Sequence, residues 1–186
     1  MPRTADHDAR RRQVADALLR VIVRGGLAEA SLSAVAEEAG VSVGLIQRYF
    51  TTKAELLNFA FNHLLDRTYE RLLAVRPVDD TTETTYLMLE ALLPLDEERF
   101  TEAVVWVAFL ADTLPSPTAR KPHVSAMLRM HRALVSAGMS TVEAVMLTSV
   151  LDGLILDMVA SPELVTPELA RACLRRAVDQ AFGGQT

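Results

Sequence analysis

Ala36, Gly40 and Ile46 stand four and six residues apart in "SLSAVAEEAGVSVGLIQRYF", residues 31–50. No other feature restricts the fold of this chain as strongly. A small side chain at Ala36 lets two helices cross closely. Gly40 accepts the positive φ of a sharp turn without steric cost. Val41 plugs the turn, and Ile46 wedges between the helices as an anchor. Ser31 and Ser42 each precede an apolar helical pattern and can cap it. The expectation is a helix-turn-helix over residues 31–50. The same order also suits an ordinary helical hairpin, so the flanking residues must decide between the two.

Those flanks are helical throughout. Val14, Leu18, Val21 and Ile22 follow the spacing of one helix face over residues 10–24, and Gly25-Gly26 ends it. Thr52 followed three residues later by Glu55 reads as a capping box. The helix it opens runs from about Lys53 to about Ala74. After "RPVDDTTE", a linker with a proline and a threonine cap, helices are expected at 82–93, 96–113, 118–137, 140–160 and 166–182. Each break holds proline, glycine or a capping serine or threonine. No strand pattern competes, so the fold class is all-α with about nine helices. A three-helix helix-turn-helix domain over residues 1–52 is followed by a helical domain over residues 53–186.

Charge and cysteine content narrow the function. The net charge is −5, with +1 over residues 1–60 and −6 over the remainder. That asymmetry suits a small polyanion-facing module on an acidic body. The single cysteine, Cys173, excludes an intramolecular disulfide framework and fits a reducing cytoplasm. The N-terminal "MPRTADHDARRRQ" lacks the apolar core of a signal peptide, and no apolar run approaches the ~20 residues of a membrane span. A cytoplasmic protein without membrane attachment is expected. The four histidines show no metal-ligand spacing, and no glycine-rich loop or nucleophile elbow is present. The expectation is therefore no enzyme, no metal and no cofactor.

The short third helix carries the chemistry that DNA reading requires. A recognition helix presents base-reading side chains from its N-terminal part in the major groove. Gln47 can pair bidentately with adenine and Arg48 with guanine, while Val43 suits a thymine methyl. Gly44 lets the backbone come close. Ser42, Tyr49, Ser31 and Ser33 can bond phosphates. Lys53, at the start of the fourth helix, adds a charge beside free backbone amides. Arg10, Arg11 and Arg12 form a charge run that reads equally as DNA contact or as exposed surface.

Gly26, Ala36, Gly40, Val41, Ser42, Gly44, Tyr49, Phe50, Lys53 and Leu56, within "GGLAEASLSAVAEEAGVSVGLIQRYFTTKAELL", resemble the TetR/AcrR family of transcriptional regulators. The resemblance covers roughly the first third of the chain. "GLIQRYF" looks closest to the BetI-like branch, and Gln47 departs from the aromatic residue that many members carry there. The resemblance implies a homodimer on a palindromic double-stranded DNA operator, most simply a repressor released by a small-molecule effector of unknown identity. It also implies a ligand pocket among helices 4 to 7. Candidate lining residues are Phe59, His63, Met88, Leu92, Trp106, Phe109, Leu110, Met127, Met130 and His131, a set rich in methionine and aromatics that suits adaptable apolar cavities. Asp112 and His131 are candidate polar anchors.

Residues 142–159, "VEAVMLTSVLDGLILDMV", are apolar nearly all round and must be buried on more than one face. A subunit interface is the natural second partner, with Ser149 and Gly153 allowing close approach. Ala170, Cys173, Leu174, Ala177, Val178, Ala181 and Phe182 of the last helix offer a second seam. In the resembling family two such helices from each subunit form a four-helix interface. The alternative is a small-molecule-binding or interaction protein on the same scaffold without DNA binding.

Overall fold

A computed structural model of the protein describes residues 2–117 and 119–183, with side chains from His7 onward. Arg3 and Asp6, counted in the charge above, thus have side chains outside the described residues, as does Thr118 entirely. All regular structure among the described residues is helical: α1 (Pro2–Glu29), α2 (Leu32–Ala39), α3 (Val43–Tyr49), α4 (Lys53–Ala74), α5 (Thr81–Glu90), α6 (Glu97–Thr113), α7 (Lys121–Ser136), α8 (Thr141–Ala160) and α9 (Pro167–Gly183). They divide into two compact units, Met1–Tyr69 with Val104–Asp112, and Glu70–Ala103 with Thr113–Thr186. Both α4 and α6 contribute to each unit.

The first unit is built on α1. Val14, Leu18, Val21 and Ile22 all turn inward, as their spacing requires. They meet Val35 and Ala36 of α2, Ile46 of α3, Phe50, and Leu56, Ala60 and Leu64 of α4. Ile46 and Phe50 are fully buried, each burial contributing roughly 1.5–3 kcal/mol. α1 begins at Pro2, earlier than the apolar pattern indicates, because its first turns are polar. Its break falls at Gly26, with φ 74° and ψ 178°, a conformation essentially reserved for glycine. The helix then resumes to Glu29. On the far side of α4, Phe61 stacks on Phe109 at 3.7 Å between ring centres and on Trp106 at 5.5 Å.

The second unit packs α5, α7, α8 and α9 around Leu93, Leu147, Leu151, Leu174 and Val178. Here the sequence-based seam on α9 needs correction. Ala170, Leu174, Val178 and Ala181 are buried inside this unit's own core, whereas Cys173 is exposed. One apolar stripe on a helix shows that the helix packs, not against what. Polar contacts tie α9 to α5. Arg175 holds Glu83 with bonds of 2.6 and 3.0 Å and lies 3.5 Å above the Tyr86 ring. Arg171 reaches Glu90 at 2.9 Å, and the Tyr86 hydroxyl donates to Glu90 at 3.0 Å. Burial, then that carboxylate, push the Tyr86 phenol above its ordinary pKa. Arg71, near the end of α4, bonds the buried Glu102 at 2.6 Å.

Helix ends follow local chemistry. Ser140 and Glu143 form a reciprocal capping box on α8. Asp80, not a threonine, caps α5, accepting from the Thr82 and Glu83 amides. At α4, Thr52 Oγ1 accepts from the Glu55 amide at 3.1 Å, but the Glu55 carboxylate accepts from Thr51 rather than Thr52, at 2.8 Å. The box is shifted by one residue, and the other oxygen of the same carboxylate accepts from Arg11.

Candidate nucleic-acid interface

α2 and α3 are held by paired caps and one glycine. Ser31 Oγ accepts from the Ala34 amide at 3.1 Å, and Ser42 Oγ accepts from the Leu45 amide at 3.2 Å. Each hydroxyl keeps its own proton to donate outward. Gly40 takes the left-handed conformation, φ 66° and ψ 35°, and its amide returns to α2. Val41 donates to the Ala36 carbonyl at 2.9 Å, closing the turn. Ile46 points inward at 0% exposure, which fixes the rotation of α3 about its axis. The opposite face must then point to solvent.

That outer face carries Gly44, Gln47 and Arg48, all exposed. A Cβ at Gly44 would meet nothing within 4 Å, so the surface beside it is open. Gln47 and Arg48 make no hydrogen bond or ion pair among the described residues, and so keep full donor and acceptor capacity. Val43 is partly buried against the first unit's core. Tyr49 is also half-buried, its ring edge-on to His7 at 4.8 Å. Ser31, Ser33 and Ser42 are exposed. Lys53 is exposed and donates to the Leu27 carbonyl at 3.4 Å, leaving two ammonium protons free.

The α1 arginines divide into different roles. Arg20 and Arg24 grip Glu38 of α2 at 2.6 and 2.5 Å. Their hydrogen bonds hold the Glu38 carboxyl below its ordinary pKa. Arg10 bonds Gln13 at 2.9 Å on the exposed side. Arg11 turns inward: its guanidinium lies 4.8 Å from the Phe50 ring centre and 4.4 Å from that of Phe59, with Nη2 3.4 Å from Glu55. The run of three arginines thus contains one that is half-buried and already engaged by two rings and a carboxylate, which its sequence neighbourhood does not reveal.

The candidate ligand residues separate into two groups. Phe59, His63, Trp106, Phe109 and Leu110 belong to the first unit, and Met88, Leu92, Met127, Met130 and His131 to the second. Phe59 packs on the first unit's core and stacks with His63 at 6.5 Å. The His63 imidazole reaches Asp16 of α1 at 3.1 Å. Phe109 is buried, while Trp106 and Leu110 keep partial exposure. In the second unit Met88 is exposed, and Leu92 and Met130 pack on the core. His131 pairs with the Thr148 hydroxyl at 3.0 Å. Asp112 is exposed. Asp152 was missed by the sequence reading. Desolvation raises its pKa even though the residue keeps open surface, and the charges of His123 and His131 pull it partly back. Its signal was a carboxylate in the middle of an apolar run, between Leu151 and Gly153.

α8 shows an apolar face that its own unit does not cover. Val142, Met146, Ser149, Gly153 and Leu156 recur at alternating steps of four and three residues, the rhythm of a helix seam. Val142, Met146 and Leu156 are 68%, 64% and 47% exposed. Nothing lies within 4 Å of a Cβ built on Gly153. Among the described residues no group of histidine, cysteine or acidic side chains could hold a metal ion. None of the described helices is long and apolar enough to cross a membrane.

Known proteins share this arrangement. Residues 14–59 match the family of bacterial regulatory proteins of the tetR type. Residues 82–183 match the C-terminal family of BetI-type transcriptional repressors. The HTH-type transcriptional regulator PksA of Bacillus subtilis is 39% identical over 113 residues, 60% of this chain and 55% of PksA, so the match spans little more than half of that protein. The HTH-type transcriptional regulator BetI of Burkholderia mallei is 28% identical over 136 residues, 72% of this chain and 70% of BetI. A crystal structure of a transcriptional regulator from Rhodococcus sp. Rha1 superposes with a TM-score of 0.88 at 32% identity, covering 94% of this chain and 96% of that one. The chain belongs to the TetR family of bacterial regulatory proteins, and its second half to the BetI-type C-terminal family of that group.

Proposed function

We propose that this TetR-family protein is a transcriptional repressor that binds a palindromic operator as a homodimer through α3 and is released by a small-molecule effector. The observation that carries this reading is the outer face of α3, where Gln47 and Arg48 stand exposed beside the open backbone of Gly44. Gln47 and Arg48 read base edges, and Val43 meets a thymine methyl. Ser31, Ser33, Ser42, Tyr49 and Lys53 hold phosphates and set the register. Residues 1–52 form the DNA-binding domain, and residues 53–186 serve ligand binding and dimerisation in the cytoplasm. The α8 seam joins the subunits, with the exposed side of α9, Leu169 and Cys173, beside it.

The effector is apolar or aromatic and binds within contact of Trp106. α4 passes from the first unit into the second. Effector binding therefore reaches α3 through α4, altering the spacing of the two α3 helices so that they no longer match successive major grooves. Such a ligand must bind the released state better than the DNA-bound state. In vitro selection from a randomised duplex pool tests the reading. Enrichment of a two-fold symmetric site is expected, and a pool that stays random after repeated rounds contradicts it.

A further inference from the structure

We infer that Arg11 is a positioning residue for DNA reading: it clamps the α3–α4 joint and contacts no DNA itself. The inference rests on the proposal that α3 binds DNA. Phe50 terminates α3 and is fully buried, and Phe59 lies two turns into α4. Arg11 of α1 stands over both rings, 4.8 and 4.4 Å from their centres, and the rings themselves are 5.4 Å apart. Its Nε is buried without a hydrogen-bond acceptor, as suits a guanidinium packed on ring faces. Its Nη2 reaches Glu55 Oε1, while Glu55 Oε2 accepts from the Thr51 amide in the loop between α3 and α4. One side chain therefore holds the C-cap of α3, the connecting loop and the first turns of α4 against α1. Arg48 and Lys53, the proposed base and phosphate contacts, sit on either side of that joint. Lysine cannot replace Arg11 here, because its compact ammonium cannot cover two rings and a carboxylate at once.

A phosphate contact and a positioning clamp leave different marks. Loss of a phosphate contact weakens all sequences alike and reduces the salt slope by about one. Loss of a clamp misaims α3, so it weakens the selected operator and leaves random duplex and the salt slope unchanged. The experiment measures affinity of the full-length protein for the selected operator and for random duplex, each across a salt series. Wild type, Arg11→Met and Arg11→Lys are compared. Both variants are expected to lose roughly tenfold on the operator, with unchanged random-duplex affinity and slope. An equal loss on both duplexes with a shallower slope makes Arg11 a phosphate contact and overturns the inference. Operator affinity equal to wild type also overturns it. Should Arg11→Met fail to fold, Arg11→Lys, which keeps the stem and the charge, decides alone, and full rescue by lysine counts against the clamp. If wild type itself does not distinguish operator from random duplex, the DNA-binding proposal fails, and the clamp inference built on it falls as well.

Discussion

Arg175 of α9 meets Glu83 of α5 through two parallel hydrogen bonds of 2.6 and 3.0 Å, and the same guanidinium covers the Tyr86 ring at 3.5 Å. One side chain thus joins two helices far apart in sequence by charge and by stacking. Glu83 and its hydrogen bonds raise the already high Arg175 pKa, so the guanidinium stays charged at any ordinary pH. Both side chains keep about a third of their surface open, so solvent screening reduces what the ion pair contributes. Arg175→Ala should therefore cost about 1–2 kcal/mol, most of it from the bidentate geometry and the ring contact. A urea melt compared with Glu83→Ala and the double variant would measure the coupling. Strict additivity of the two single changes would show that the contact contributes nothing.

Asp152 gives a pH signature. Its carboxyl is desolvated and its pKa lies above the usual value, with His123 and His131 of α7 as the charges that oppose the shift. A group with a raised folded pKa binds its proton more tightly in the folded state. Its favourable contribution is present below the unfolded pKa of about 3.9 and is lost as the pH rises through the folded pKa. Asp152→Asn should accordingly be more stable than wild type at pH 7, with the gap narrowing as the pH falls toward 4. Urea midpoints across that range check it. A variant less stable than wild type at pH 7 would mean that the histidines favour the carboxylate more than burial disfavours it.

The seam on α8 predicts a separation of assembly from folding. Leu156 is 47% exposed in the single chain and continues the line of Val142, Met146, Ser149 and Gly153. Leu156→Arg should leave the monomer folded but place an uncompensated charge in a dry interface, at a cost of several kcal/mol to association. Light scattering should show monomer with a native circular dichroism spectrum. Leu174→Arg, at a fully buried position of α9, should instead unfold the second unit. A dimeric Leu156→Arg protein would place the interface elsewhere.

Much of the fold could be read in the sequence because its signals are local. Ser31, Ser42 and Ser140 cap the helices they precede, and Gly26 and Gly40 adopt the positive φ that breaks or ends one. The inward turn of Ile46 also follows from spacing alone, and it leaves Gln47 and Arg48 outside. What sequence spacing cannot supply is the identity of a distant partner. Arg11 looks like any member of a basic run until Phe50 and Phe59 are brought to it from 39 and 48 residues away. The α9 stripe of Ala170, Leu174 and Val178 has the right period for a seam, but α5 and α8 of the same chain cover it. Leu154, adjacent to Gly153, packs on its own core, whereas Leu156 faces out. Phe59 and His63 have the chemistry of a ligand pocket, yet their contacts run to Arg11 and Asp16 of α1.

The central claim is that α3 reads bases, and Arg48 tests it most directly. The measurement is the affinity of wild type and Arg48→Ala for the selected operator and for operators altered at one base pair in each half-site, at fixed salt. Wild type should prefer the selected sequence. Arg48→Ala should lose about 1–3 kcal/mol per contacted base pair on that sequence, yet show no further loss when the guanine it pairs with is replaced. Lys53→Ala, by contrast, should weaken every duplex equally and reduce the salt slope by about one. Wild-type affinity that is the same for the selected operator and for random duplex would contradict the account.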